Sequence, residues 1–350
     1  MTTEDDQQVL SKQKIDSVIA LYSSGKINEA IDAIKVLNER FPNVPLLFNI
    51  LGVCYKALGQ LEASIQMFET AVTIKPDYVE AHKNLGITLR DLGQLDMSVK
   101  SFKQAIMIES HSVDAHYNLA ITLKELNELE DAVKSYEKAI AINPNFAEAH
   151  NNLGVNLKIL RKLDEAVISF ENAIDINPYY PEAHNNLGIT FSELGKILSA
   201  IDCYEKAIAI KPDYAYAHNN LGNVFKEIRK RKAAVKCYEN AIDIKPDYAV
   251  AHSNLGNVLR NLKQRDKALI SYIRAYKIKP DMDFIFGDVL NTKMHLCFWD
   301  DLPSQLKLLK NKINNNKKVI APFNLLGLID DPGLQGKASE IYANEEFPKN

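Results

Sequence analysis

Two residue types recur along this chain at a spacing that invites chemistry. Histidine stands at His82, His116, His150, His184, His218 and His252, and asparagine at Asn84, Asn118, Asn152, Asn186, Asn220 and Asn254, so each returns every 34 residues. Regular imidazoles suggest a metal, but geometry argues against a shared ion. Equivalent residues of successive units lie at least one interhelix spacing apart, about 8–10 Å. A zinc needs each imidazole nitrogen within about 2.1 Å. The histidines are therefore expected in the core, and no metal or cofactor is expected. No nucleophile elbow, P-loop, GxGxxG or HExxH pattern occurs either. No catalytic residue is expected in the array, and it does not read as an enzyme.

The asparagines carry the stronger signal. Each precedes an apolar leucine by one residue, as in Asn152-Leu153, which on a helix turns it about 100° away from the packed stripe. A carboxamide both donates and accepts, so it can pair with the N–H and C=O of a peptide backbone. A row of six would hold an extended chain with little regard for its sequence. An acidic column stands four residues before the row, at Glu80, Asp114, Glu148 and Glu182, and ends at Tyr216 and Val250. A mostly basic one stands six residues after it: Arg90, Lys124, Lys158, Ser192, Lys226 and Arg260. These columns would select charged side chains, or else are solvated faces with local pairing. The asparagines, for their part, would bind a peptide or satisfy neighbouring helix backbone.

Positioning such a row requires a repeated element. Around each asparagine the chain reads Ala-His-Asn-Asn-Leu-Gly or a close variant, beginning at 81, 115, 149, 183, 217 and 251. Prolines at Pro42, Pro76, Pro144, Pro178, Pro212, Pro246 and Pro280, with Ser110 in the one missing slot, end each unit, since proline cannot continue a helix. Eight units follow: 9–42, 43–76, 77–110, 111–144, 145–178, 179–212, 213–246 and 247–280. Within each, two patterns of helical period flank a turn. In the third, Ala81, His82, Leu85, Gly86, Leu89 and Leu92 form one stripe, and Val99, Phe102, Ala105 and Ile106 the other. Small residues at the Gly86 and Ala105 slots let the helices approach, while the aromatic at the Phe102 slot fills the gap between units. The turn glycine gives way to Asn127, Arg161, Arg229 and Lys263 in half of them, where a positive φ suits glycine better.

The Leu-Gly, Ala, aromatic, Ala and Pro slots and the 34-residue period resemble the tetratricopeptide consensus over 9–280. That resemblance implies an all-α, right-handed superhelical solenoid with a concave inner groove, followed by a short, mostly helical C-terminal extension. Residues 281–300 read as a helix in which Asp288 replaces the expected asparagine. Leu302–Ile313 reads as another, broken by Asn314 to Lys318.

The whole-chain properties exclude several classes. A net charge of −3 over 350 residues, with both signs scattered, leaves no footprint for nucleic acid. Cys54, Cys203, Cys237 and Cys297 form no close-spaced pair, which fits a reducing compartment. The acidic, polar stretch 1–8 is unlike a signal peptide and is expected to be disordered. No apolar run approaches membrane length, so no membrane partner is expected and a cytoplasmic location is.

The tail adds a second resemblance. Cys297-Phe298-Trp299-Asp300-Asp301, then Pro322-Phe323-Asn324-Leu325-Leu326, then Asp330-Asp331-Pro332-Gly333-Leu334-Gln335 resemble the segment joining repeats to the catalytic region in the protein O-GlcNAc transferase family (glycosyltransferase family 41, with bacterial and SPINDLY-like members). That resemblance implies that the asparagine row contacts substrate peptides, as such rows do in that family. It also implies a catalytic region of two Rossmann-like lobes, which this chain, ending at Asn350, lacks. Three readings follow. The first is a protein-binding scaffold holding extended segments of other proteins. The second is the recognition arm of an O-GlcNAc-type transferase whose catalytic region is supplied elsewhere or truncated. The third is an assembly adaptor using its convex surface. A second copy of the chain, giving a homodimer, is an open option.

Overall fold

The computed structural model describes residues 10–346; the stretch 1–8 expected to be disordered lies outside them. All the described regular structure is helical. The chain divides into two compact units, the first running to Pro178 and the second beginning at Tyr179.

The first unit is a stack of antiparallel helix pairs: α1 (Lys12–Ser23) with α2 (Ile27–Arg40), α3 (Pro45–Ala57) with α4 (Leu61–Ile74), α5 (Val79–Asp91) with α6 (Leu95–Ile108), α7 (Val113–Glu125) with α8 (Leu129–Ile142), and α9 (Ala147–Ile159) with α10 (Leu163–Ile176). The second unit continues the pattern with α11 (Pro181–Glu193) and α12 (Ile197–Ile210), α13 (Ala215–Glu227) and α14 (Arg231–Ile244), and α15 (Ala249–Asn261) and α16 (Arg265–Ile278). It ends in four single helices, α17 (Ile285–His295), α18 (Leu302–Asn314), α19 (Pro322–Leu326) and α20 (Pro332–Glu346).

Each hairpin turn is closed by the chain's own amides. In the third repeat Gly93 N–H donates to the Arg90 carbonyl and Gln94 N–H to the Leu89 carbonyl, both at 2.8 Å. This pairing satisfies the carbonyls left over at a helix end, and it needs a left-handed residue at its centre. Gly93 has φ +80°. Asn127, Arg161, Arg229 and Lys263 adopt φ of 63°, 63°, 59° and 62° in the same slot, so the hairpin imposes the conformation whether or not glycine is present.

Packing inside a pair follows from one size rule. A Cβ placed on Gly86 would lie 2.8 Å from the Phe102 ring, and one on Gly256 would lie 2.6 Å from the Tyr272 ring. One edge of the aromatic of the second helix thus lies against bare backbone of the first. Its far side meets the next repeat, where Phe102 packs with Leu119 and Leu123. The fourth repeat has Ala120 and Tyr136 in these two slots, both buried.

The C-terminal extension follows no period. It has a core of its own built from Phe286, Leu290, Leu309, Ile313, Ile320, Leu325 and Leu334, among others. The expected helix over 281–300 is shorter, Ile285–His295. Phe284 takes φ +62°, and its N–H donates to the Lys318 carbonyl at 2.7 Å while Gly287 N–H donates to Val319 at 2.7 Å. A segment more than 30 residues further on therefore sets where α17 begins.

Candidate functional site

The histidines act as latches between repeats. At His82, His116, His150, His218 and His252, Nε2 lies 2.9–3.1 Å from the carbonyl oxygen six residues earlier, on Pro76, Ser110, Pro144, Pro212 and Pro246. The imidazole supplies the N–H that a carbonyl at the end of the preceding repeat would otherwise lack. His252 is held below the usual histidine range by burial, against the pull of the Pro246 carbonyl. Among the described residues no group of three or more His, Cys, Asp or Glu is placed to hold a metal ion.

The asparagines of the row are all half-buried, and most are tied to the preceding repeat. Asn84 Nδ2 donates to Asn49 Oδ1 at 3.1 Å, and Asn152 Nδ2 donates to the Tyr117 hydroxyl at 2.8 Å. In the second unit Asn220 Nδ2 donates to Asn185 and Asn254 Nδ2 to Asn219, both at 3.0 Å. Each acceptor stands 35 residues before its donor, one place before the row position of the preceding repeat. The donor half of these four amides is therefore committed inside the stack. Among the described residues the oxygens of Asn84, Asn152 and Asn254 meet no donor and remain free to accept. Asn186 is bonded within the protein as well.

Asn118 departs from the pattern for a visible reason. The residue 35 places before it is Lys83, which has no acceptor. Lys83 instead bridges Glu80 at 2.9 Å and Asp114 at 3.6 Å; burial pulls its pKa down, but the two carboxylates outweigh it and leave it raised. Asn118 Nδ2 turns back to the Asp114 carbonyl at 2.9 Å, and its oxygen accepts from Arg90 Nη1 at 3.1 Å.

The flanking columns are only partly available. Glu80, Asp114 and Glu148 are exposed and Glu182 half-buried, with Glu182 3.8 Å from Lys211. Lys124, Lys158 and Lys226 are half-buried. Lys226 is pushed below the usual lysine range by burial, with Glu227 pulling the other way. Where the acidic column ends, Tyr216 meets Tyr248 edge-on at 5.2 Å and Lys245 sits over both rings.

A family profile described as TPR repeat matches residues 52–89, 122–158, 160–195, 190–228 and 230–263, more than half of the chain. A second, described as tetratricopeptide repeat, matches 79–111 and 249–282. The chain belongs to the tetratricopeptide-repeat family. No curated protein matches it. Among solved structures, this tetratricopeptide-repeat chain is similar to the APC/C hetero-tetramer Cut9–Hcn1, with 14% identity and a TM-score of 0.55 over 80% of this chain and 55% of that one. It is also similar to pilF of Pseudomonas aeruginosa, with 20% identity and a TM-score of 0.52 over 58% of this chain and 92% of that one. A third likeness is to YrrB, described as a TPR protein with an unusual peptide-binding site, at 21% identity and a TM-score of 0.45 over 53% and 95% of the two chains. At these identities the likeness is one of fold.

Sequence reasoning placed the row correctly on the first helices but missed its partners. Asn49, Tyr117, Asn185 and Asn219 are the acceptors, and the 35-residue offset that relates them to the row was present in the sequence. Asn223 and Asn257 were also missed; they accept from the Tyr238 and Tyr272 hydroxyls at 2.8 and 2.9 Å.

Proposed function

We propose that the chain is a protein-binding scaffold that holds an extended polypeptide against the first helices of its repeats, with 9–280 as the binding part and 281–350 as a helical extension. One observation carries this reading. The oxygens of Asn84, Asn152 and Asn254, which their repeats leave free, stand at equivalent slots of their first helices, at multiples of the 34-residue period. An acceptor row of this kind suits the N–H groups of an extended backbone, which point out at regular intervals and belong to every sequence alike. At roughly 0.5–1.5 kcal/mol net per hydrogen bond the row gives modest affinity, offset in part by the cost of ordering the polypeptide. Broad, weak recognition follows, with Glu80, Asp114, Glu148, Glu182, Lys124, Lys158 and Lys226 biasing the choice through charge.

The test is selection from a peptide library by the wild type and by the Asn84→Ala, Asn152→Ala, Asn254→Ala variant, both shown folded by circular dichroism. Loss of at least tenfold in affinity is expected for the variant. Equal binding by both proteins would move the site off this face.

A finer reading makes the scaffold the substrate arm of an O-GlcNAc-transferase-like protein. It rests on the order of the tail motifs from Cys297 to Gln335 alone. Its test adds a family 41 catalytic region in trans and measures sugar transfer to selected peptides; transfer unchanged by the scaffold would remove it.

A further inference from the structure

We infer that Arg90, on α5, is the receptor for a carboxylate carried by the bound polypeptide, an aspartate or glutamate side chain; this rests on the reading of the first-helix face as a polypeptide-binding site. The chain sets an arginine against the slot 28 residues on twice, once facing a carboxylate and once an amide. The Asn257 and Tyr272 that also hold the first arginine are Ile87 and Phe102 beside the second.

In the first case Arg260 stands six residues after Asn254. Its Nη1 donates to Asp288 at 2.7 Å and its Nη2 to Asn257 at 3.1 Å, with the guanidinium 5.6 Å from the Tyr272 ring centroid. Asp288 occupies the slot that asparagine holds in the repeats, 28 residues on from the arginine. In the second case Arg90 stands six residues after Asn84 and donates Nη1 to Asn118, again 28 residues on, at 3.1 Å. Arg90 has no ion-pair partner among the described residues. Where the chain itself completes this arrangement, it does so with a carboxylate.

The surroundings favour the same ligand. A guanidinium offers five N–H donors in a planar fork that matches a carboxylate through two parallel bonds. One amide oxygen satisfies one of them. Two carboxylates nearby in the chain are already engaged, Asp91 with Lys56 at 3.0 Å and Asp114 with Lys83 at 3.6 Å. Tyr117, whose hydroxyl accepts from Asn152, keeps its own proton to donate, and Arg90 is close enough to pull against the burial that raises this phenol. Lys124, half-buried one repeat on in the same column, adds positive charge along the path of the polypeptide.

The experiment compares peptides selected by the wild type with their binding to Asn118→Asp, which supplies Arg90 with an internal carboxylate as Asp288 does for Arg260. Arg90→Gln serves as a second variant, and melting curves confirm that all are folded. The expected result is an Asp or Glu at one position of the selected peptides. Affinity for those peptides should fall at least tenfold in both variants, and the fall should be several times smaller for the same peptides carrying Gln in place of the acid. Selected peptides without an acidic position, or unchanged affinity in the variants, overturn this inference and leave the scaffold reading standing. Failure of the wild type to select any peptide, acidic or neutral, overturns both.

Discussion

The glycines of the repeats and Gly287 of the C-terminal extension make the same close approach under different conditions. A Cβ on Gly154 would meet the Phe170 ring at 2.8 Å, whereas one on Gly287 would meet Ile320, including its backbone Cα at 2.8 Å. The repeats contain their own control, because Ala120 sits in the glycine slot of the fourth unit above a fully enclosed Tyr136. A ring edge yields to a methyl group; a backbone fixed by the Phe284–Lys318 and Gly287–Val319 hydrogen bonds has nowhere to go. A periodic core thus tolerates at one position what it already contains at another, and a core built once has no such precedent.

Gly287→Ala should therefore cost about 1–3 kcal/mol through overpacking, with faster amide exchange confined to α17–α20. Gly154→Ala should cost less than about 1 kcal/mol by the same measure. Equal losses would erase the contrast between periodic and single-use packing.

Asn156 tests whether periodicity also exposes errors. It is fully buried, and neither its Nδ2 nor its Oδ1 has a hydrogen-bond partner. At the equivalent places Thr88, Thr122 and Thr190 donate to the carbonyl four residues back at 2.8–2.9 Å. Asn156→Thr should raise stability by about 1–2 kcal/mol, since an unsatisfied buried polar group costs that much. A lower melting temperature would show that Asn156 has a partner of its own.

The junction between array and extension gives a pH-dependent case. Burial raises the Asp288 carboxyl above the usual carboxylate range, against the opposing Arg260 charge, so the folded state holds a proton there more readily than the unfolded chain. Stability through this group rises as pH falls from the raised value towards the ordinary carboxylate pKa of about 3.9. Wild type should accordingly gain on Asp288→Asn as pH falls from 7 to 4. A wild-type advantage that shrinks on acidification would contradict this sign.

The smallest effect belongs to the turns. Lys263→Gly, at φ +62°, should gain about 0.5–1 kcal/mol by relieving a left-handed side chain. Gly93→Lys should lose a similar amount, with chemical denaturation resolving both.

The periodic part of this fold was legible because each slot was written six to eight times. Leu-Gly, the buried aromatic and the terminal proline together fix helix, packing and turn without any distant information. The row of asparagines was legible as a face, but its bonding was not, since each amide's partner is chosen by a residue one repeat earlier. Lys83 shows how one change there redirects Asn118. Beyond Pro280 the sequence carried less. The start of α17 depends on Lys318 and Val319, more than 30 residues away, and α20 begins where Asp331 Oδ1 accepts from Leu334 N–H. Neither leaves a pattern that helical period alone can find. No described helix is long and apolar enough to cross a membrane.

The 35-residue offset of the asparagine bonds makes the array behave like a zip whose teeth are identical. Excising residues 81–114, one whole period, would bring Asn118 opposite Asn49 and offer it the oxygen that Lys83 withholds. Any excision that is not a multiple of the period would leave the teeth out of step. Length is thus the property this chain can change most freely, provided it changes by whole repeats.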